Sequence, residues 1–293
     1  MLGGLPGFVP VGELRYLWSG GVAGNELCGC GLPFHSCPFW AEVGARAYGG
    51  WDAVDVEEML ALERAIFGRK RVPFLLAPGL WPPYRDQVRR YVARIERLYE
   101  AIQDVSGCRY IVDSTKDPPY GLLLQRLPGV GLHLVHLVRD SRATAFAWTK
   151  QKIRPEVASR TAYLPRYGLT ASVCLWMGGN LMLDLMRPKS VPRHLTRYES
   201  LARAPKQEVE ELLDALGCGS DGYDLALLER RQVRMGDCHT IRGNPVRFEP
   251  GYQQIQPDDE WMQTMPPLRR IAATLMTWPL LLRYGYLAHP GRR

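Results

Sequence analysis

The sequence predicts an α/β fold of the doubly wound kind, a three-layer sandwich in which helices cover both faces of a central parallel sheet. Three observations predict it. Short β-prone runs alternate with helical runs along the chain. The run 132–138 is almost continuously apolar, the pattern of a strand covered on both faces. No composition shift marks a linker, and with 46% hydrophobic residues a chain of 293 can bury a sizeable core, so a single domain over 1–293 is expected.

The elements follow in order. Val88, Tyr91, Val92, Ile95, Leu98, Tyr99 and Ile102 recur at three-and-four spacing, which predicts a helix over 84–105 that stops at Gly107. The stretch 75–83, rich in proline and glycine, predicts a surface loop before it. Residues 109–112 read as a strand that feeds a polar loop, because Pro118 and Pro119 cannot extend a ladder. A helix over 120–127 ends at Pro128-Gly129, and the buried strand 132–138 stops at Arg139. A helix from Asp140 to about residue 150, a mostly helical and irregular region over 146–186, a strand at 195–198 and a helix over 206–216 complete the alternation. The tail 268–284 carries an apolar helix that Trp278-Pro279 is expected to interrupt.

A formal charge of +7 suits nucleic acid, a membrane surface or an anionic small molecule, and its distribution separates them. Arg85, Arg89, Arg90, Arg94 and Arg97 lie on the polar side of the long helix, interleaved with Asp86 and Glu96, while Tyr91 and Tyr99 fall on the apolar side. That reads as a solvated face, not a stacking surface for nucleic acid. No run of 18 apolar residues and no signal-peptide pattern occurs, so neither a membrane span nor a cleaved leader is expected and a cytoplasmic location is the default. Four of the seven cysteines are scattered, which fits reduced thiols.

Chemistry concentrates at strand ends. In Val135-His136-Leu137-Val138-Arg139-Asp140-Ser141-Arg142 a strand closes on an arginine and a helix opens, which makes an anion seat at the carboxyl edge of a sheet. The plainer reading pairs Arg139 with a local carboxylate and leaves Asp140 or Ser141 as a helix cap. This segment resembles the 3′-phosphate-binding segment of sulfotransferases that use 3′-phosphoadenosine 5′-phosphosulfate, a P-loop NTPase-like fold family. Three further segments resemble that family in its order: Val112-Asp113-Ser114-Thr115-Lys116-Asp117-Pro118, Arg197-Tyr198-Glu199-Ser200-Leu201, and His239-Thr240-Ile241-Arg242-Gly243-Asn244-Pro245. The resemblance, taken as one to the bacterial members of the family, implies that Arg139 and Ser141 hold the 3′-phosphate. It also implies that the backbone of Arg242-Gly243 closes over the nucleotide and that Lys116 stabilises the transferring group. Residues 5–14 resemble the segment where some members place a catalytic glutamate, which makes Glu13 the candidate base for an acceptor hydroxyl.

Two departures matter. Members of that family begin with a strand and a glycine- and serine-rich phosphate loop, and nothing of that kind precedes Leu5. The resemblance therefore implies an N-terminally truncated domain lacking its first strand. Either the true start lies upstream, or the loss is real and the chain is a degenerate nucleotide-binding or scaffold protein. Where the family has a second phosphate-binding serine this chain has Ala147, with Thr144 one turn earlier. The acceptor is expected to be a hydroxyl on a small molecule, glycan or lipid, and the chemistry requires no metal. Cys28, Cys30, His35 and Cys37 offer enough donors for zinc, but without zinc-finger spacing they read first as buried thiols in small-residue turns. His133 and His136 read as core histidines with their hydrogen bonds satisfied.

Overall fold

The computed structural model describes every residue except 69–70, 72–73, 76–80, 158–160, 186–190, 237 and 288–293, so most of the expected loop at 75–83 lies outside the described residues. The chain divides into two compact units. One comprises Met1–Leu132, Pro155–Thr161 and Arg234–Tyr252, and the other His133–Arg154, Ala162–Val233 and Gln253–Arg293. Helices and parallel strand pairs make it an α/β protein. The described strands hydrogen-bond in three separate pairs, of which β5 (Gln232–Met235) and β6 (Gly251–Gln254) form one.

In the first unit β1 (Phe8–Gly12) runs parallel to β2 (Tyr110–Asp113), with Phe8 opposite Tyr110 and Gly12 opposite Asp113. Three helices supply the core beside them: α1 (Pro38–Tyr48), α2 (Val56–Phe67) and α3 (Pro82–Ser106). Asp55 caps α2 by accepting from the Glu58 amide. The apolar stripe of α3 is buried through Tyr84, Val88, Tyr91, Ile95, Leu98, Tyr99 and Ile102, and Gly107, at φ 62°, closes the helix in the left-handed region as expected. At about 1.5–3 kcal/mol for each fully buried large side chain, that stripe outweighs the modest helix propensity of its aromatic residues. A short helix α4 (Pro118–Leu124) follows β2 and the loop Ser114-Thr115-Lys116-Asp117. The arginines on the other side of α3 are exposed or half-buried, and Arg90 pairs with Glu58.

In the second unit β3 (Leu134–Val138) lies parallel to β4 (Arg193–Arg197), residue for residue from Leu134 opposite Arg193 to Val138 opposite Arg197. Its helices are α5 (Ser141–Ala147), α6 (Leu169–Leu185), α7 (Tyr198–Arg203), α8 (Pro205–Ala215), α9 (Ala226–Glu229), α10 (Glu260–Thr264) and α11 (Pro267–Arg283). Val138, Trp176, Leu280, Leu281 and Tyr284 form one apolar cluster, and Ala143, Val173, Trp261, Met265 and Ala273 another.

Two expectations are corrected here. β3 is one-sided, since His136 and Val138 are buried while Val135 and Leu137 are exposed, so continuous apolarity does not mean two covered faces. α11 is a single helix that carries Pro279 in its interior. Pro279 is on the exposed side, where water can hydrogen-bond the carbonyl that the missing N–H leaves free. Among the described residues no helix is long and apolar enough to cross a membrane.

Candidate functional site

Glu13 follows β1 and Lys116 follows β2, so the parallel pairing carries both to the same strand ends, where their side chains form an ion pair. Lys116 is 73% exposed and Glu13 15%, an arrangement that holds the carboxylate and leaves the ammonium free to turn toward a ligand. The Asp113 carboxylate fixes the turn between them by accepting from the Thr115 amide (2.9 Å), the Thr115 hydroxyl (2.6 Å) and the Tyr99 hydroxyl (2.6 Å). Arg15 and Asp117, the near neighbours of the pair, are themselves bonded at 3.2 Å.

The loop bearing Arg242 and Gly243 is strung onto the end of β1. The Glu13 amide donates to the Ile241 carbonyl (2.7 Å) and the Ile241 amide to the Val11 carbonyl (2.9 Å). Both Arg242 (φ 52°) and Gly243 (φ 111°) lie in the left-handed region, which turns the chain sharply there. The Arg242 guanidinium grips Glu26 with two bonds of 2.9 and 3.0 Å and lies over the Tyr16 ring at 4.4 Å. Burial, reinforced by the charges of Glu13 and Asp117, raises the Tyr16 hydroxyl above its ordinary value against the pull of Arg15 and Arg242, so the phenol stays neutral. Four of the sequence-derived site residues, Glu13, Lys116, Arg242 and Gly243, are therefore carried at these strand ends and the loop bonded to them.

The remaining two belong to the second unit. Arg139 follows β3 and Tyr198 follows β4, and the guanidinium lies over the Tyr198 ring at 4.7 Å. Arg139 Nη2 donates to Asp258 at 2.7 Å, while its Nε is buried and has no hydrogen-bond partner among the described residues. Although burial alone would raise it, the Asp258 carboxyl is held below the ordinary carboxylate range by the hydrogen bond and charge of Arg139 and by the charges of Lys150 and Lys152. Asp140 caps α5 by accepting from the Arg142 amide at 2.8 Å. The Ser141 hydroxyl is buried and shares a 2.7 Å hydrogen bond with Thr277. Thr144 is bonded back to the Asp140 carbonyl. Glu199 joins the two strand ends, because it accepts from the Asp140 amide (3.0 Å) and from the Tyr286 hydroxyl (2.6 Å), which also reaches the Val138 carbonyl (3.1 Å).

Sequence reasoning does not identify Glu26, Asp258 or Tyr16. Glu26 and Asp258 stand 216 and 119 residues from the arginines they pair with, and no spacing rule spans such a distance. The cysteine cluster is also reassigned. Cys28, Cys30 and Cys37 converge, but His35 does not join them: it is exposed, and its Nε2 faces the Val22 carbonyl at 2.9 Å. The imidazole at the thiols belongs to His239. His136 is a core histidine, bonded to Asn180 at 2.8 Å, whereas His133 is exposed ahead of β3.

The strand-end residues thus define an α/β chain with an acid–ammonium pair and a separate arginine set against an aromatic ring. No protein-family model and no curated protein matches the chain. Among solved structures it is similar to the sulfotransferase domain from the Synechococcus PCC 7002 olefin synthase, at 18% identity and a TM-score of 0.43, over 93% of this chain and 95% of that one. A likeness that distant assigns no residue a role.

Proposed function

We propose that this chain is a sulfotransferase that moves a sulfuryl group from 3′-phosphoadenosine 5′-phosphosulfate to a hydroxyl on a small molecule, glycan or lipid, in the cytoplasm. The observation that carries the reading is the Glu13–Lys116 pair at the carboxyl ends of two parallel strands, with the Arg242-Gly243 loop bonded to the Glu13 backbone. In the reaction the acceptor oxygen forms a bond to sulfur as the bond from sulfur to the donor's phosphate oxygen breaks. Glu13 takes the hydroxyl proton, and Lys116 offsets charge growing on the departing and transferred oxygens. Arg139 supplies a cation for the 3′-phosphate, with an unused N–H at Nε. On this reading the fold class is the three-layer α/β kind.

A second reading has its own observation. Ser141 is committed to Thr277 and Arg139 to Asp258, which favours a nucleotide site weakened to a binding or scaffold role. Calorimetric titration with 3′-phosphoadenosine 5′-phosphate, followed by transfer of labelled sulfuryl groups to a panel of hydroxyl acceptors, separates the two. Arg139→Ala is expected to weaken nucleotide binding about 10- to 100-fold, the value of a charge-assisted hydrogen bond. Glu13→Gln is expected to keep that binding and to lose about 100-fold or more in turnover. Binding without turnover on any acceptor selects the scaffold reading, and no binding by the wild-type chain overturns both.

A further inference from the structure

The donor atoms of Cys28, Cys30, Cys37 and His239 all lie within 4.8 Å of one another, and three of the four residues come from a segment some two hundred residues away from the fourth. Cys30 Sγ and Cys37 Sγ are 3.7 Å apart, His239 Nδ1 is 3.3 Å from Cys37 Sγ, and it is 3.9 Å from Cys28 Sγ. With zinc–sulfur bonds of about 2.3 Å and zinc–nitrogen bonds of about 2.0–2.1 Å, tetrahedral donors stand about 3.8 Å apart sulfur to sulfur and about 3.5 Å sulfur to nitrogen. The sulfur–sulfur separation is close to its value, and the two sulfur–nitrogen separations bracket theirs. They do not suit a disulfide, whose sulfurs stand about 2.05 Å apart.

The surroundings hold the donors in place. Backbone N–H groups of Cys30 and Trp40 face the sulfurs of Cys28 and Cys37. Cys37 is the N-cap of the eleven-residue α1, whose dipole favours negative charge. The His239 ring is stacked on Phe39 at 4.8 Å and 7° between planes, which fixes its orientation. Gly29 is where the two segments touch: its amide donates to the Thr240 carbonyl at 3.0 Å, and a Cβ there would stand 2.6 Å from the Cys238 carbonyl oxygen.

We propose that Cys28, Cys30, Cys37 and His239 bind one Zn(II) ion. Soft thiolates with one imidazole select zinc, and a set of four protein donors leaves no open position, so the ion is structural and not a Lewis acid for the reaction. It pins the loop that carries Arg242 and Gly243 to the segment of Cys28–Cys37, a task independent of the transfer chemistry. The carbonyls that Arg247 bridges, Thr240 at 3.0 Å and Leu27 at 3.4 Å, belong to the same two segments.

The test is metal analysis of the full-length chain purified without added metal, followed by Co(II) exchange. About one zinc per chain is expected, with the visible d–d bands of tetrahedral Co(II) and thiolate-to-cobalt charge transfer. His239→Ala and Cys30→Ser should each weaken zinc binding by at least about 100-fold, beyond the 10- to 100-fold typical of outer-shell partners. His35→Gln should retain zinc. Should both ligand variants fail to fold, the wild-type protein still decides: a chelator must expose three additional thiols to a thiol reagent and lower the melting temperature. A metal-free chain with all its thiols reactive, a Cys30–Cys37 disulfide by mass spectrometry, or zinc lost in His35→Gln but kept in His239→Ala overturns the proposal.

Discussion

Arg15 lies between two carboxylates, 2.7 Å from Glu63 and 3.2 Å from Asp117, with its guanidinium over the Phe67 ring at 4.3 Å. The Tyr91 hydroxyl donates to the same Glu63 oxygen, Oε1, at 2.9 Å. Both side chains of the Arg15–Glu63 pair are largely buried, so removing one partner leaves an uncompensated charge, and Arg15→Met is expected to destabilise the protein by about 3–5 kcal/mol. Its pH dependence has a definite sign. Burial raises the Glu63 carboxyl above 4.5, opposed by Arg15 and Tyr91, so the folded chain holds that proton more tightly than the unfolded chain. This contribution to stability falls as pH rises through the window above 4.5, and loss of Arg15 removes the largest opposing charge and steepens the fall. Urea unfolding at about pH 5 and about pH 8 should show the larger deficit of Arg15→Met at the higher pH. Equal deficits at both would mean that water reaches Glu63.

At the scale of elements, what the sequence makes legible depends on how local the cause is. α3 is legible because its apolar period is written in consecutive turns, and β2, β3, α5 and α8 because each is bounded by its own glycine, proline or arginine. β1 is not: Phe8-Val9-Pro10-Val11-Gly12 contains a proline and a glycine that argue against a strand, and it exists because Tyr110–Asp113 offers a ladder a hundred residues later. For the same reason the segments 5–14, 112–118, 135–142 and 239–245 mark Glu13, Lys116, Arg139 and Arg242, whereas the carboxylates Glu26 and Asp258 that pair with the two arginines, and His239 as a companion of the thiols, emerge only from contacts across the fold. Gly12 is where this non-local geometry is tightest, at φ 79° with a Cβ position 2.2 Å from the Ile241 carbonyl oxygen. Gly12→Ala adds about 1–2 kcal/mol of left-handed strain. It also disturbs the two backbone bonds to Ile241, each worth about 0.5–1.5 kcal/mol, so a total loss of about 2–5 kcal/mol is expected. Hydrogen exchange at the Glu13 and Ile241 amides should accelerate in that variant. Unchanged protection would show that the loop is not held by this pairing.

For the whole molecule, the sequence shows the alternation of helix and strand but not how the strands pair, because each pairing joins residues far apart in the chain. Helices α1 to α4 of the first unit pack around buried aromatic residues, and Tyr91 and Tyr99 of α3 and Tyr120 of α4 are enclosed there with their hydroxyls raised well above 10. Burial is the main cause in each case. It is joined by the negative charge of Glu63 at Tyr91 and of Asp113 at Tyr99 and Tyr120. Burial likewise pushes Tyr84 up to about 12. A phenol whose folded value lies above its unfolded value of 10 contributes stability that is fully present below pH 10 and is lost as pH rises through the folded value. Several such groups in one core make the loss cooperative. Of the 14 tyrosines, the exposed ones should ionise smoothly around pH 10 in an ultraviolet titration, while this buried group should ionise in a single later step that coincides with loss of the far-ultraviolet helical signal. If all phenolates appear near pH 10 with the helical signal intact, the aromatic core between α2 and α3 is open to solvent, and the burial that organises this unit is not what holds it together.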